Sequence, residues 1–141
     1  MQSVLVKVES IQTDEVGKRE EISFSTTGQL YQKKLGYYLR YIEELNEEDK
    51  TATTLKIQDM VVTLIRDGKV RMKQEFEAGE SSSFEYKTPY GDLNFELIVK
   101  KVETEVNLKE GSIRLEYELR NKGDLVNRNQ LTIKYKEDTN G

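Results

Sequence analysis

The chain contains no cysteine and no histidine. That removes disulfides, a thiol nucleophile and a zinc–thiolate site, together with the commonest metal ligand and the usual general base. Small secreted domains lean on disulfides, so their absence points to the cytoplasm. No stretch approaches the ~20 consecutive apolar residues of a membrane-spanning helix, and the N-terminal MQSVLVKVES lacks the basic-then-apolar order of a leader peptide. No membrane association is expected. Charge of one sign is not gathered anywhere either. The 22 Lys and Arg are interleaved with the 26 Asp and Glu, for a net charge of −4. That speaks against nucleic acid as a partner.

What chemistry remains is that of carboxylate pairs, lysine nucleophiles and tyrosine acids. Glu43 and Glu44 are strand neighbours, so they face opposite sides and make a poor acid–base pair. Ser81-Ser82-Ser83 has no Lys or His at motif spacing. The acidic run Glu43 to Asp49 lacks the spacing and glycine of a calcium loop, and reads as a solvated connection. Gly68 and Gly91 stand alone, so there is no glycine-rich phosphate loop. The expectation is a protein without catalysis, metal or cofactor.

What is present is alternation. With 141 residues the chain makes one ordinary domain, able to bury roughly 70% of the surface its unfolded form exposes. Val4, Val6 and Val8 alternate with polar residues, as do Ile22, Phe24 and Thr26; Phe84, Tyr86 and Thr88; Leu93, Phe95, Leu97 and Val99; Ile113, Leu115, Tyr117 and Leu119; and Leu131, Ile133 and Tyr135. This is the period-2 pattern of half-buried strands, and the glycines at 17, 68, 79, 91, 111 and 123 punctuate it as in an antiparallel meander. Leu35, Leu39, Ile42 and Leu45 would share a helical face, but Tyr37, Tyr38, Tyr41 and Ile42 favour a strand.

Face parity also suggests a register. A three-residue loop Arg66-Asp67-Gly68, with Gly68 left-handed, sets Leu64 opposite Val70, Val62 opposite Met72 and Met60 opposite Gln74. A two-residue turn at Gln58-Asp59 sets Ile57 opposite Met60 and Leu55 opposite Val62. The inward set is then Leu55, Ile57, Met60, Val62, Leu64, Val70, Met72, Gln74 and Phe76. Long one-sided strands leave exposed edges unless the sheet closes. The fold class is therefore all-β, a single antiparallel up-and-down barrel over residues 1–136 with a frayed polar tail at 137–141; a two-sheet sandwich shares the same parity.

Tyr41-Ile42-Glu43-Glu44, Thr54-Leu55-Lys56-Ile57, Val62-Thr63-Leu64-Ile65-Arg66 and above all Phe84-Glu85-Tyr86-Lys87-Thr88-Pro89-Tyr90-Gly91 resemble the YwiB-like family of small bacterial proteins. The resemblance covers nearly the whole chain. It implies a calycin-type, lipocalin-like barrel and supplies no site residues.

Gln74 is the polar exception on the apolar face of Val70, Met72 and Phe76. An inward amide needs a partner. Gln74, Met72, Tyr86, Tyr117 and Tyr135 are accordingly the expected lining of an interior pocket for a small, mostly apolar ligand. The alternative is a partner-binding or homodimer surface, built on the outer strip Val61, Thr63 and Ile65 with Ile98 and Val102.

Overall fold

A computed structural model describes residues 1–44 and 50–139. Ten strands follow one another: β1 Gln2–Asp14, β2 Arg19–Lys33, β3 Gly36–Glu44, β4 Lys50–Gln58, β5 Val61–Asp67, β6 Arg71–Phe76, β7 Ser81–Thr88, β8 Gly91–Val106, β9 Glu110–Asn121 and β10 Asp124–Glu137. Each pairs antiparallel with its sequence neighbour, and β10 returns to β1, so the sheet closes into an up-and-down barrel. Closure removes the sandwich alternative. No helix occurs among the described residues.

The alternation does the work expected of it. Val4, Val6, Leu39, Leu55, Leu64, Leu97, Ile113 and Ile133 are each at most 1% exposed and pack in one interior cluster. The ambiguous segment is a strand because Leu39 and Tyr41 point inward while Leu35, 72% exposed, sits in the β2–β3 turn.

Two registers differ from expectation. Leu64 faces Gln74, and Val62 faces Phe76, so the β5–β6 connection lies at 68–70. Ile57 faces Val62, which puts the β4–β5 turn at Asp59 and Met60. Asp59 takes a φ of 54°, and Met60 is 56% exposed instead of inward. Parity survives both shifts because each moves the pairing by an even number of residues. Gly68 does not adopt positive φ. It is glycine for another reason: an added Cβ would lie 2.6 Å from the Thr51 hydroxyl and 2.9 Å from the Lys50 carbonyl of β4. Val70, expected inward within a strand, lies in the bend and is half-buried.

A bulge between Val99 and Lys101 flips the parity of β8. Val102 is therefore 5% exposed and part of the core, not of an outer strip. Leu93, expected inward, is 50% exposed at the barrel end. β10 runs on to Glu137, and Glu137 and Asp138 are both hydrogen-bonded through their backbone amides. The Glu137 amide donates to the Lys109 carbonyl and that of Asp138 to the Ser3 carbonyl. The acidic connection from Leu45 to Asp49 and the last two residues lie outside the described residues.

One seam is unlike the rest. Between β6 and β7 the ladder holds a single pair, Arg71 with Lys87, whereas β7 and β8 pair from Ser81 to Thr88. The β6–β7 connection instead docks on β8, where Gly79 donates to the Val99 carbonyl and Val99 donates to that of Glu80. The wall of the barrel is thus thinnest beside Gln74 and Phe76.

Candidate functional site

The inner faces of β3 to β6 are laid out in cross-strand rows. Leu39, Leu55, Leu64 and Gln74 form one row; Tyr41, Thr53, Arg66 and Met72 form the next. Polarity rises across these rows. Thr53 is fully buried and Gln74 is 3% exposed. Asn127 and Asn129, on the inner face of β10, are also buried, with the Asn129 amide donating to Asn127 at 2.6 Å.

Arg66 is held on one side. Its Nη2 lies 3.6 Å from Glu43, which also accepts from the Thr53 hydroxyl at 3.2 Å and is hydrogen-bonded by Tyr41. Glu43 points inward with 14% of its side chain exposed, while Glu44 is 61% exposed, as neighbours on a strand must be. Among the described residues, two buried side-chain polar atoms have no hydrogen-bond partner: Arg66 Nε and Gln74 Oε1. They sit on adjacent rungs, since Arg66 opposes Met72 and Leu64 opposes Gln74. One is a donor and the other an acceptor. Unpaired buried polar atoms cost about 1–3 kcal/mol each, so both atoms are positions where a partner from outside the protein, water or a ligand, would be stabilising.

The sequence candidates divide around this point. Gln74 and Met72 flank Arg66, and Tyr117 reaches across the interior to pack edge-on against Phe76 at 4.9 Å, within the field of Arg66. Tyr86 stands at the thin seam, half-buried, 6.2 Å from Phe95. Tyr135 belongs elsewhere, with its hydroxyl donating to the Asn107 carbonyl at 2.6 Å beside the β8–β9 turn. Arg66, Glu43, Thr53, Tyr41, Asn127 and Asn129 were not anticipated. Continuing the inward parity 62–64 to 66 and 131 back to 129 and 127 would have exposed them.

On the outside of β5 to β7, a cleft of about 460 Å³ is lined by Ile65, Arg66, Asp67, Arg71, Met72, Lys73, Glu85 and Lys87; Arg66 and Met72 are its inward-parity members, and Gln74 does not line it. A larger groove of about 640 Å³ crosses β2, β1, β10, β9 and β8 near Lys7, Lys134 and Tyr135. It holds no buried polar atom in want of a partner, Tyr135 being satisfied by Asn107. The smaller cleft is the better site. Of the outer strip, Val61, Thr63 and Ile65 are half-buried on β5 between Gln58, Lys56 and Thr54 on one side and Glu75 and Lys73 on the other, and Ile98 is on β8, with β6 and β7 intervening.

Burial raises the pKa of the Tyr41 and Tyr117 hydroxyls, and pushes Tyr135 up to about 12. All three hold their protons more tightly in the fold than in the unfolded chain. Their contribution to stability is complete below the unfolded value near 10 and is lost as pH rises through the folded one. The melting temperature is expected to stay level up to about pH 10 and then fall steeply. Phenolate absorbance followed alongside should show these three tyrosines titrating only as the fold is lost; full phenolate formation with the fold intact would contradict their burial.

The fold and the site define a small antiparallel β-barrel with a polar interior end. The chain belongs to the family described as a domain of unknown function (DUF1934), whose model matches residues 6–133. It is 30% identical over 136 residues to the uncharacterized beta-barrel protein YwiB of Bacillus subtilis (strain 168), covering 96% of this chain and 94% of that protein. The crystal structure of the ywiB protein from Bacillus subtilis superposes with a TM-score of 0.87 at 30% identity, over 98% of this chain and 93% of that one.

Proposed function

We propose that the barrel is a non-catalytic cytoplasmic binding protein that takes one small, mostly apolar molecule at the end lined by Arg66, Met72, Gln74 and Tyr117. The observation that carries this is the pair of partnerless buried atoms, Arg66 Nε and Gln74 Oε1, on adjacent rungs of the interior, with Arg66 and Met72 also bordering a cleft of about 460 Å³. That volume is within the ~300–1,000 Å³ of small-molecule sites. Met72 adapts its shape to irregular contents, and Phe76 and Tyr117 pack edge-on in the core behind it. The thin β6–β7 seam offers a way in that breaks few ladder bonds.

Gln74→Leu tests the reading. With no protein partner for Oε1, leucine removes an unpaired polar atom from the interior. Stability is expected to hold or to rise by up to about 2 kcal/mol, while binding of a polarity-sensitive hydrophobic dye changes. A loss of about 1–3 kcal/mol with dye binding untouched would mean that Gln74 serves only a core hydrogen bond.

A further inference from the structure

We propose that the groove of about 640 Å³ across β2, β1, β10, β9 and β8 is a second site, for one phosphate monoester. It lies toward the barrel end that carries the β8–β9 turn, whereas Arg66 stands near the close of β5 at the other end, so the two sites are separate. One rung crosses the groove from side to side. Glu105, Ser112, Lys134, Lys7 and Ser25 oppose one another in turn on β8, β9, β10, β1 and β2, and all five line it. At the centre of the rung two lysines hold facing positions on neighbouring strands, an arrangement that like-charge repulsion makes unfavourable. Lys134 and, two residues along the same strand face, Lys136 have no ion-pair partner among the described residues. Lys7 has Glu9 at 3.2 Å, but both side chains of that pair are about half exposed, so it holds Lys7 only weakly.

An anion seated between Lys7 and Lys134 replaces their repulsion by two attractions, and the Ser25 and Ser112 hydroxyls on either side of the lysines add O–H donors. A phosphate monoester brings three terminal oxygens and nearly two charges to this row, against the two oxygens and single charge of a carboxylate. The rest of the groove limits the ligand to one such group. Glu105 ends the rung and Glu110 faces Lys136 across β9 and β10, so the β8–β9 wall repels further negative charge. Together with the net charge of −4, that wall disfavours a polyanion or an anionic membrane surface and leaves room for a single soluble phosphate. Leu5, Val6 and Tyr135 are the apolar part of the lining, and they suit an uncharged organic body on the phosphate.

The experiment is calorimetric titration of the full chain with phenyl phosphate, inorganic phosphate and benzoate at low salt, beside sedimentation with phosphatidylcholine vesicles that contain phosphatidic acid. Phenyl phosphate is expected to bind at one site, at least roughly tenfold more tightly than either small anion, and to weaken as salt is raised, while the vesicles leave the protein in the supernatant. Lys134→Met decides the location. Lys134 is exposed and the change removes its repulsion with Lys7, so the melting temperature should hold or rise while phenyl phosphate binding falls at least roughly tenfold. Lys18→Met makes the same change of net charge in the β1–β2 turn and should leave binding as it was. The proposal is overturned by an absence of saturable heat with phenyl phosphate up to about 10 mM, by equal losses in the two variants, by either small anion binding as tightly as phenyl phosphate, or by protein that sediments with the vesicles.

Discussion

Gly36→Ala is expected to lose about 3 kcal/mol or more, enough to lower the melting temperature by roughly 10 °C. Gly36 opens β3 directly after a tight turn, paired with Lys33 of β2. A Cβ built there would lie 1.9 Å from the Ile57 carbonyl oxygen on β4. No rotamer relieves such a contact, because both atoms are fixed by backbone; β3 must shift away from β4, and its ladder with Ile57 and Lys56 must open. Leu35→Ala one residue earlier is the control, since Leu35 is 72% exposed and should change little. Thermal melts of the two variants side by side decide it. Equal stability would mean that β3 and β4 are not as close as described.

Phe76→Ala is expected to cost about 3–5 kcal/mol. Phe76 is fully buried, opposes Val62 on β5 and packs edge-on against Tyr117 at 4.9 Å. Its ring ties β6 to Tyr117 on β9, next to a seam with a single ladder pair. Few hydrogen bonds there compensate for the lost packing, so denaturant melts should shift strongly, and Phe76→Leu should recover more than half of the loss. A cost under about 1 kcal/mol would show that the interior collapses freely around the gap.

Which residues face inward was legible in the sequence: Leu55, Ile57, Val62, Leu64, Gln74 and Phe76 are all buried. The exact pairing was not, because parity constrains register only in steps of two. Leu64 meets Gln74, four residues beyond the expected Val70, and parity is silent about that difference. Turn rules then favoured the shortest loop consistent with a left-handed Gly68, whereas the close approach of β4 is a tertiary fact that no local rule contains. Met60 went wrong for the same reason.

The site was half legible. Gln74 and Met72 stood out as a polar and a flexible residue on an apolar face, and Tyr117 shared their parity. Arg66, Asn127 and Asn129 did not, because strand ends were drawn at the last apolar residue and charged or amide side chains beyond it were assigned to connections; Glu43 was weighed as a strand residue, but only as a catalytic partner of Glu44. In this barrel the strands continue through those positions, with Arg66 inside β5, Glu43 inside β3 and both asparagines inside β10. Tyr135 has the right parity but the wrong partner, since its hydroxyl is taken by Asn107. Val102 was placed outside for want of any sequence sign of the β8 bulge.

The most direct measurement is a two-dimensional nitrogen–proton NMR titration of the protein with octanol, watching the Arg66 Nε–H and the Gln74 side-chain amide. Saturable shifts of both, together with the backbone amides of Met72 and Tyr117, and none along Val61, Thr63 and Ile65, are what a ligand anchored in the barrel interior predicts. Shifts confined to the outer face of β5, or none at the Arg66 and Gln74 side chains, would contradict it.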